Sequence, residues 1–550
     1  MDGQLRGLAH RPQYHLISQG AYAGWLSDPN GPIYANGRYH VFYQAATTAQ
    51  MRAKPAPYHT PDPISWGHMS STDLTHWVQH PMAITPAPPG SFEGDDVYSG
   101  AVVQDPSDGA VISFFACAAA DARPPGRDNN AVCYARSIDA NITNFTKYNG
   151  THGSVVLYVP QAMGNASNEL LPIAGSQFVF RNASGSNWLM MMGSMRRRDD
   201  SMAVLLFSSP DLAPTSQWRY LGPMFEDSGL AGGGWCPYFA PIDPTDPTTV
   251  MLAVNDFVGR GTLTAPHYRF TGGSPFSRLD GGLAHVSAAF VGKDPKKRSA
   301  IVMRWLIGAP SCAVIPGRRR TGGGGTPACD PKHVDDVQNA WGWVGVHSLP
   351  ITVGVARGVV RNAAGLSYRV VEEVEGLRLP HTHRRTMAAS AAVPDGRILW
   401  HPDVTGVALE LRVNVTLPYS SAAKLGCHAG LVVRATADGA EQTTVALWAS
   451  DDAELVINRT LASTAFNVSS PDMLQRLPLP SAMLGRTTEL IVYVDHSVIE
   501  VFVGDVAIMS SRVYPSAANL ADRVGTFLSP ACPGLKMGAL LSWSMADVYA

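Results

Sequence analysis

Trp25-Leu26-Ser27-Asp28-Pro29-Asn30-Gly31 is the stretch from which the rest of the chain is read. Asp-Pro-Asn-Gly is a good β-turn sequence: Asp caps the first position, Pro presets φ at the second, and Asn and Gly tolerate the later ones. A plain turn is one reading. In the other, the turn holds the Asp28 carboxylate at the mouth of a pocket, beside an aromatic wall supplied by Trp25. A fixed carboxylate next to a flat ring suits attack on the anomeric carbon of a sugar. The stretch leads into Tyr39-His40-Val41-Phe42-Tyr43-Gln44, which alternates as a half-buried strand does.

Outward from there, residues 11–350 read as short alternating strands separated by Gly, Pro, Asp and Asn, with 111–115, 178–180 and 188–192 as examples. Such spacing with few helical periods predicts a propeller, a barrel or a sandwich. No internal repeat is evident, so periodicity supplies no blade count. From about 396 the strands lengthen. Segments 490–494, 498–503 and 506–510, joined by Asp495-His496-Ser497 and Gly504-Asp505, read as a β-meander suited to a sandwich. Residues 376–395 read as a connector.

With 550 residues the chain exceeds one compact core, so two domains are expected. Charged residues are only 16 % against 52 Gly and 41 Pro, a balance that fits a turn-rich β protein. A net charge of −2 gives no field for nucleic acid or acidic lipid. No apolar run reaches the roughly 18 residues of a membrane helix, so no membrane partner is expected. Met1-Asp2-Gly3-Gln4-Leu5-Arg6 has no apolar core of a signal peptide, whereas the sequons at Asn141, Asn144, Asn149, Asn165, Asn182, Asn414, Asn458 and Asn467 point the other way, so the compartment stays open. Seven cysteines are too scattered for a zinc site and too few for a disulfide scaffold, and neither a metal nor another cofactor is expected. Cys312 and Cys329 flank one loop and have the spacing to pair, while the odd total leaves a thiol free or intermolecular. Residues 316–328 form a basic, Gly-rich insertion read as a solvated loop, and Arg196-Arg197-Arg198, answered by Asp199-Asp200, reads the same way.

Further segments follow the opening stretch in order: Phe42-Tyr43-Gln44, the run from Trp66 to Trp77, Val97-Tyr98-Ser99-Gly100, Trp341-Gly342-Trp343 with Ser348-Leu349-Pro350, the run from Val371 to Arg378, and Val494-Asp495-His496-Ser497-Val498-Ile499-Glu500 through Ser511-Arg512-Val513-Tyr514-Pro515. Together they resemble the invertase and fructan-hydrolase family of glycoside hydrolases, family 32, over about residues 11–530, and the later ones resemble plant-type acid invertases. The resemblance implies an all-β chain: a five-bladed β-propeller over 11–350 with the active site in its central funnel, a connector over 351–395, and a β-sandwich over 396–550. It implies a retaining hydrolase or fructosyl transferase acting on β-D-fructofuranosides such as sucrose or fructans, in a secreted or vacuolar setting. Onto matching positions it carries Asp28 as nucleophile, Trp25, Ser27, Gln44, Trp66, Tyr98 and Ser99 as pocket residues, and Arg181 as a contact to the fructosyl ring. The mechanism asks for two carboxylates about 5–5.5 Å apart, one attacking and one protonating the leaving oxygen.

The chain departs from the pattern at the chemistry. The family's Arg-Asp-Pro motif falls on Arg181-Asn182-Ala183, and its Trp-Glu-Cys-Pro-Asp motif falls on Gly234-Trp235-Cys236-Pro237-Tyr238, with Ser27 where an Asn is usual. Asn182 still bonds hydroxyls, without charge assistance. Trp235 donates an indole N–H but transfers no proton, and stacks on a sugar face instead. Losing general acid–base help costs ~10²–10⁴-fold in rate. Loss of neighbouring carboxylates leaves Asp28 easier to ionise. Glu226 and Asp227, upstream of the Gly232–Gly234 run, and Glu93, Asp95 and Asp96, just before Tyr98, are the candidates to replace the missing acid, and they read rather as ordinary surface groups. Two functions therefore compete: an impaired fructoside hydrolase, and a fructoside-binding homologue with a recognition or regulatory role. No phosphate loop, His-Glu-X-X-His zinc motif or Gly-X-Ser-X-Gly elbow offers other chemistry.

Overall fold

The computed structural model describes residues 9–53, 63–88, 96–118, 131–182, 184–231, 234–272, 275–292, 294–295, 297, 299–307, 342–387, 397–419, 426–464, 473–516, 519–530 and 532–549. The chain is all-β, with seven antiparallel sheets among the described residues and only short helices such as Thr48–Ala53 and Val159–Met163.

Five sheets follow one another along the chain. Each is led by one strand: Gly24–Ala35 in sheet 1, Asp96–Gln104 in sheet 2, Leu170–Arg181 in sheet 3, Tyr238–Pro241 in sheet 4 and Ala284–Ala289 in sheet 5. The remaining strands of each sheet step outward from the leader by antiparallel pairing. The leading strands of sheets 1 and 2, 2 and 3, 4 and 5, and 5 and 1 lie against each other. Sheets 3 and 4 meet through Phe178 and Phe239, ring centroids 5.2 Å apart. All five leaders surround one narrow cavity of about 30 Å³, lined by Pro29, Gly100, Phe178, Tyr238 and Ser287 among others. Gly31 makes that approach possible: its φ is +44°, and a Cβ there would stand 2.3 Å from Val102 N.

Packing on both faces explains the unbroken apolar runs. In Trp188–Arg196 and Ser201–Ser209, successive side chains point to opposite faces of the sheet. Met190, Met192, Leu205 and Phe207 join a core with sheet 2, whereas Leu189, Met191, Val204 and Leu206 join a core with sheet 4. A strand buried on both sides cannot alternate with polar residues, so it reads as continuous hydrophobic sequence.

Two larger sheets complete the chain. A seven-stranded sheet (sheet 6) contains Ala408–Thr416, Thr487–Asp495, Val498–Val503 and Ala507–Arg512, and a six-stranded sheet (sheet 7) contains Cys427–Ala435, Gln442–Ala449 and Ala453–Leu461. Their facing sides share one core that includes Leu411, Val413, Leu431, Val445, Leu455, Val492 and Val501. The expected connector begins too early in the sequence reading. Ile351–Val355 and Leu366–Val370 pair into sheet 5 beside Ala300–Leu306, so that sheet extends to Val370. Arg384–Thr386, also inside the expected connector, is the edge strand of sheet 6.

Cys117–Cys133 staples neighbouring strands of sheet 2, Cys427–Cys532 ties sheet 7 to the C-terminal segment, and Cys236 is buried outside these two bridges. Cys312, Cys329, the 316–328 insertion and Asn467 lie outside the described residues. The Arg196–Arg198 run sits at a hairpin turn, with Arg198 Nε 3.3 Å from Asp199, as a solvated loop would.

Candidate active site

The leading strands of sheets 1, 2, 3 and 5 all break register near their N-terminal ends. The break falls between Leu26 and Pro29, between Val97 and Gly100, between Ile173 and Phe178, and between Ala284 and Ser287. An interrupted ladder frees residues from the strict in–out alternation and re-aims their side chains. The freed side chains that the structure describes are Ser27 and Asp28, Tyr98 and Ser99, Gln177, and His285 and Val286. In sheet 4 the same role falls to the segment before the strand, where Cys236 takes φ +48°. One rim thus collects side chains from every leader.

Asp28 is the centre of the contacts on that rim. Its Oδ2 accepts from Ser99 Oγ at 2.6 Å and from Gln44 Nε2 at 3.2 Å. Gln44 Nε2 also makes a short bond to Ser99 Oγ, and Ser27 Oγ donates to Gln44 Oε1 at 3.3 Å. Behind the break, His347 Nε2 donates to the Ser27 carbonyl at 2.6 Å. Burial pushes His347 down to about 4, so its ring is neutral and the Ser27 bond is made by an ordinary N–H.

Burial also pushes the Asp28 carboxyl up from its ordinary value. The Ser99 hydrogen bond and the charge of His285 pull it down, and the charge of Asp256 pushes it up. The expectation of an easily ionised Asp28 is corrected on two counts: the desolvation of the carboxylate is the largest influence, and a neighbouring carboxylate is present after all.

The other expected site residues divide. Tyr98 lies beside Asp28's partner Ser99, its hydroxyl donating to Asp96 Oδ2 at 3.0 Å. Trp25 is buried with Ala46, Met51, Ile64 and Val344, and Tyr98 packs against that group, so it backs the rim rather than walling an open pocket. Trp66 is completely buried and its indole N–H donates to the Tyr98 carbonyl at 2.8 Å. It holds Tyr98 from behind. Trp235 is 50 % exposed, immediately before the Cys236 bend. Arg181 and Asn182 are not brought to Asp28. They lie at the far end of their strand, where Arg181 pairs with Trp188 in the ladder and stacks on its ring at 5.1 Å. Asn182 caps the following turn, its Oδ1 accepting from Asn187 N at 3.0 Å and its Nδ2 donating to Ser186. The level of sheet 3 that matches Asp28 and Ser99 is 174–177, beginning about 13 Å back along the strand from Arg181 at ~3.3 Å per residue.

The carboxylates weighed as replacements for the missing acid are also placed. Glu226 and Asp227 are on Arg219–Ala231, the outermost strand of sheet 3; Glu226 sits 3.8 Å from Arg196 and Asp227 accepts from Gly229 N. Asp96 accepts from Ile64 N and Tyr98, and Glu93 and Asp95 lie outside the described residues. The sequence reading missed two groups whose charges reach Asp28, namely His285 and Asp256. His285 Nδ1 is 3.4 Å from Asp256 Oδ2. No motif marks either residue. Their signal is purely spatial, because one lies in a register break of sheet 5 and the other in a hairpin of sheet 4.

The profile described as the glycosyl hydrolases family 32 N-terminal domain matches residues 20–307, and that of the family's C-terminal domain matches 373–527. The chain is similar to a sucrose-6-phosphate hydrolase of Escherichia coli, 25 % identical over 532 residues that cover 93 % of this chain and 91 % of that one. It is also similar to beta-fructofuranosidase 1 of Zea mays, 24 % identical with 96 % and 78 % covered. Among solved structures, fructan 1-exohydrolase IIa of Cichorium intybus in complex with 1-kestose shares the fold, with a TM-score of 0.74, 18 % identity and 98 % of each chain covered. A beta-fructofuranosidase of Aspergillus kawachii gives a TM-score of 0.75 at 16 % identity, with 99 % and 96 % covered.

Proposed function

Because the chain belongs to glycosyl hydrolase family 32, we propose that it is a hydrolase of the β-fructofuranosidase type acting on sucrose or fructans, with Asp28 as nucleophile. The observation that carries this reading is the Asp28 carboxylate, freed by a break in its strand and fixed by Ser99 and Gln44 at the rim of the five leading strands. Two hydrogen bonds leave one carboxylate oxygen, Oδ1, for attack on the anomeric carbon, which is the geometry a covalent glycosyl-enzyme needs. Gln44, Ser99 and Tyr98 border the sugar, and Trp235 offers a half-exposed ring for stacking above it. In this reading the five small sheets are the blades of a propeller that runs through Val370, and sheets 6 and 7 are the sandwich. The partner is a small carbohydrate.

A second reading, a fructoside-binding homologue, is favoured by one specific observation: position 235 holds a ring that transfers no proton. A turnover assay on sucrose and on an inulin-type fructan, beside calorimetric titration of both, separates the two. Hydrolysis by the wild type that is abolished by Asp28→Asn supports the enzyme. Binding without turnover supports the alternative.

A further inference from the structure

If Asp28 attacks, something must protonate the leaving oxygen, and no carboxylate stands at position 235. His285 occupies the place in sheet 5 that Asp28 occupies in sheet 1, a register break at the head of the leading strand. The two leaders run parallel and adjacent. Ile33 bridges Val291, with Tyr34 N donating to Val291 O at 2.8 Å and Val291 N to Pro32 O at 2.9 Å. Asp28 lies five residues before Ile33 and His285 six before Val291, so both come to the same level of the rim.

His285 is oriented from sheet 4. Asp256 sits in the two-residue turn between Thr249–Val254 and Phe257–Thr264, and its Oδ2 faces His285 Nδ1. That turn is tied to the segment where the family's acid is expected, because Asn255 N donates to the Trp235 carbonyl at 2.8 Å. The side chain of His285 is 33 % exposed and that of Asp256 only 5 %. The imidazole is therefore open to a ligand while the carboxylate is not. Asp256 Oδ1 and the Trp305 indole N–H, whose ring lies 5.8 Å from His285, are buried and make no hydrogen bond among the described residues. Buried polar atoms of this kind ordinarily have partners. Here a sugar hydroxyl or a water in the site would supply them.

We propose that His285, oriented by Asp256, is the acid/base of this site, giving the proton on Nε2 to the glycosidic oxygen as Asp28 attacks. The inference rests on the fructoside-hydrolase reading above. In the first step a bond forms from Asp28 to C2 of the fructosyl unit. The C2–O bond breaks, and its electron pair takes the proton from His285, releasing the alcohol. In the second step water adds to C2, passes its proton to the now neutral His285, and frees the Asp28 carboxylate. The groups facing His285 fit both states. Burial opposes the imidazolium, but the hydrogen bond and charge of Asp256 and the charge of Asp28 outweigh it, with Arg278 opposing; the net direction is upward from the ordinary value. The acid form is thus held to higher pH than in a free imidazole, which suits a group that must donate a proton in the first step and accept one in the second.

Two substrates test this. Sucrose needs a proton on its leaving oxygen, whereas a 4-nitrophenyl β-D-fructofuranoside does not. His285→Gln is expected to lose ~10²–10⁴-fold in kcat on sucrose and less than about tenfold on the aryl substrate. Asp28→Asn is expected to lose both activities. Asp256→Asn is expected to move the basic limb of the sucrose pH profile to lower pH, a shift that a merely structural role would not produce. Sucrose turnover that survives His285→Gln, or an equal loss on both substrates, overturns this inference alone. A wild type that hydrolyses neither substrate overturns the hydrolase reading and this inference with it.

Discussion

Arg304 Nη2 donates to Glu500 Oε1 at 2.6 Å, with both side chains almost wholly buried, and so joins sheet 5 to sheet 6. Around this pair the seam is built from charged and polar groups. Arg304 also bonds Asp280, Ser510 Oγ donates to Asp280 Oδ2 at 2.6 Å, and Leu349 N donates to Glu500 Oε2 at 2.9 Å. His15 closes the network, 2.8 Å from Asp495 and 3.2 Å from Glu500.

Removing one member of a buried pair leaves the other charge unpaired, which costs about 3–5 kcal/mol. Glu500→Ala is therefore expected to destabilise the protein by about that amount in denaturant unfolding, while Arg369→Ala, at an exposed pair with Asp505, changes stability by less than about 1 kcal/mol. Comparable losses in the two variants would contradict the buried-seam account.

The same seam sets a pH window. Burial opposes a charged His15, but its bonds to Asp495 and Glu500 raise its pKa above 6.5. Its contribution is fully present below 6.5 and is lost as pH rises through the folded value. Burial likewise opposes charge on Asp495 and Glu500, yet His15 holds Asp495 below its ordinary 3.8, and Arg304 with His15 holds Glu500 below its ordinary 4.5. Their contribution is present above those values and lost as pH falls through the lowered ones. Tm is expected to be highest between about pH 4.5 and 6.5. His15→Gln should flatten the decline above 6.5; an unchanged slope would discount the seam.

Ser99→Ala removes the hydrogen bond that holds the Asp28 carboxyl down. The acidic limb of kcat/KM on sucrose is expected to move to higher pH, because a carboxyl without that donor ionises later. A limb that stays in place, or moves down, would mean that Ser99 does not reach the nucleophile.

Trp235 is half exposed, so Trp235→Glu opens no cavity and is expected to change stability by no more than about 0.5 kcal/mol. In a His285→Gln background the same change supplies a proton donor on the same rim, and partial recovery of sucrose turnover is expected. Recovery by Trp235→Gln as well would show that protonation is not what was restored.

Alternation and turn chemistry made the all-β character legible, since two-fold periodicity survives wherever one face is buried. Asp28, Gln44 and Ser99 were legible because each lies in a short ordered motif and the structure brings the three together. Arg181 and Asn182 were misplaced because the register break between Ile173 and Phe178 shifts the strand in a way local spacing cannot reveal. The connector was misread because Ile351–Val355 pairs with Ala300–Leu306 across a long intervening segment. His285 and Asp256 were invisible for the same reason: their meeting is a product of how sheet 4 stands beside sheet 5, not of spacing along the chain.

The breaks at the head of the leading strands bear on how such a molecule changes over time. Residues inside a ladder answer to neighbours on both sides, and a swap there disturbs the sheet. Residues set in an interruption, or like Trp235 just before a strand begins, hold no rung, so a Glu can give way to a Trp, or a His can take over a proton, while every strand below keeps its pairing. Chemistry at the rim is free to be revised one position at a time, on a support that does not register the revision.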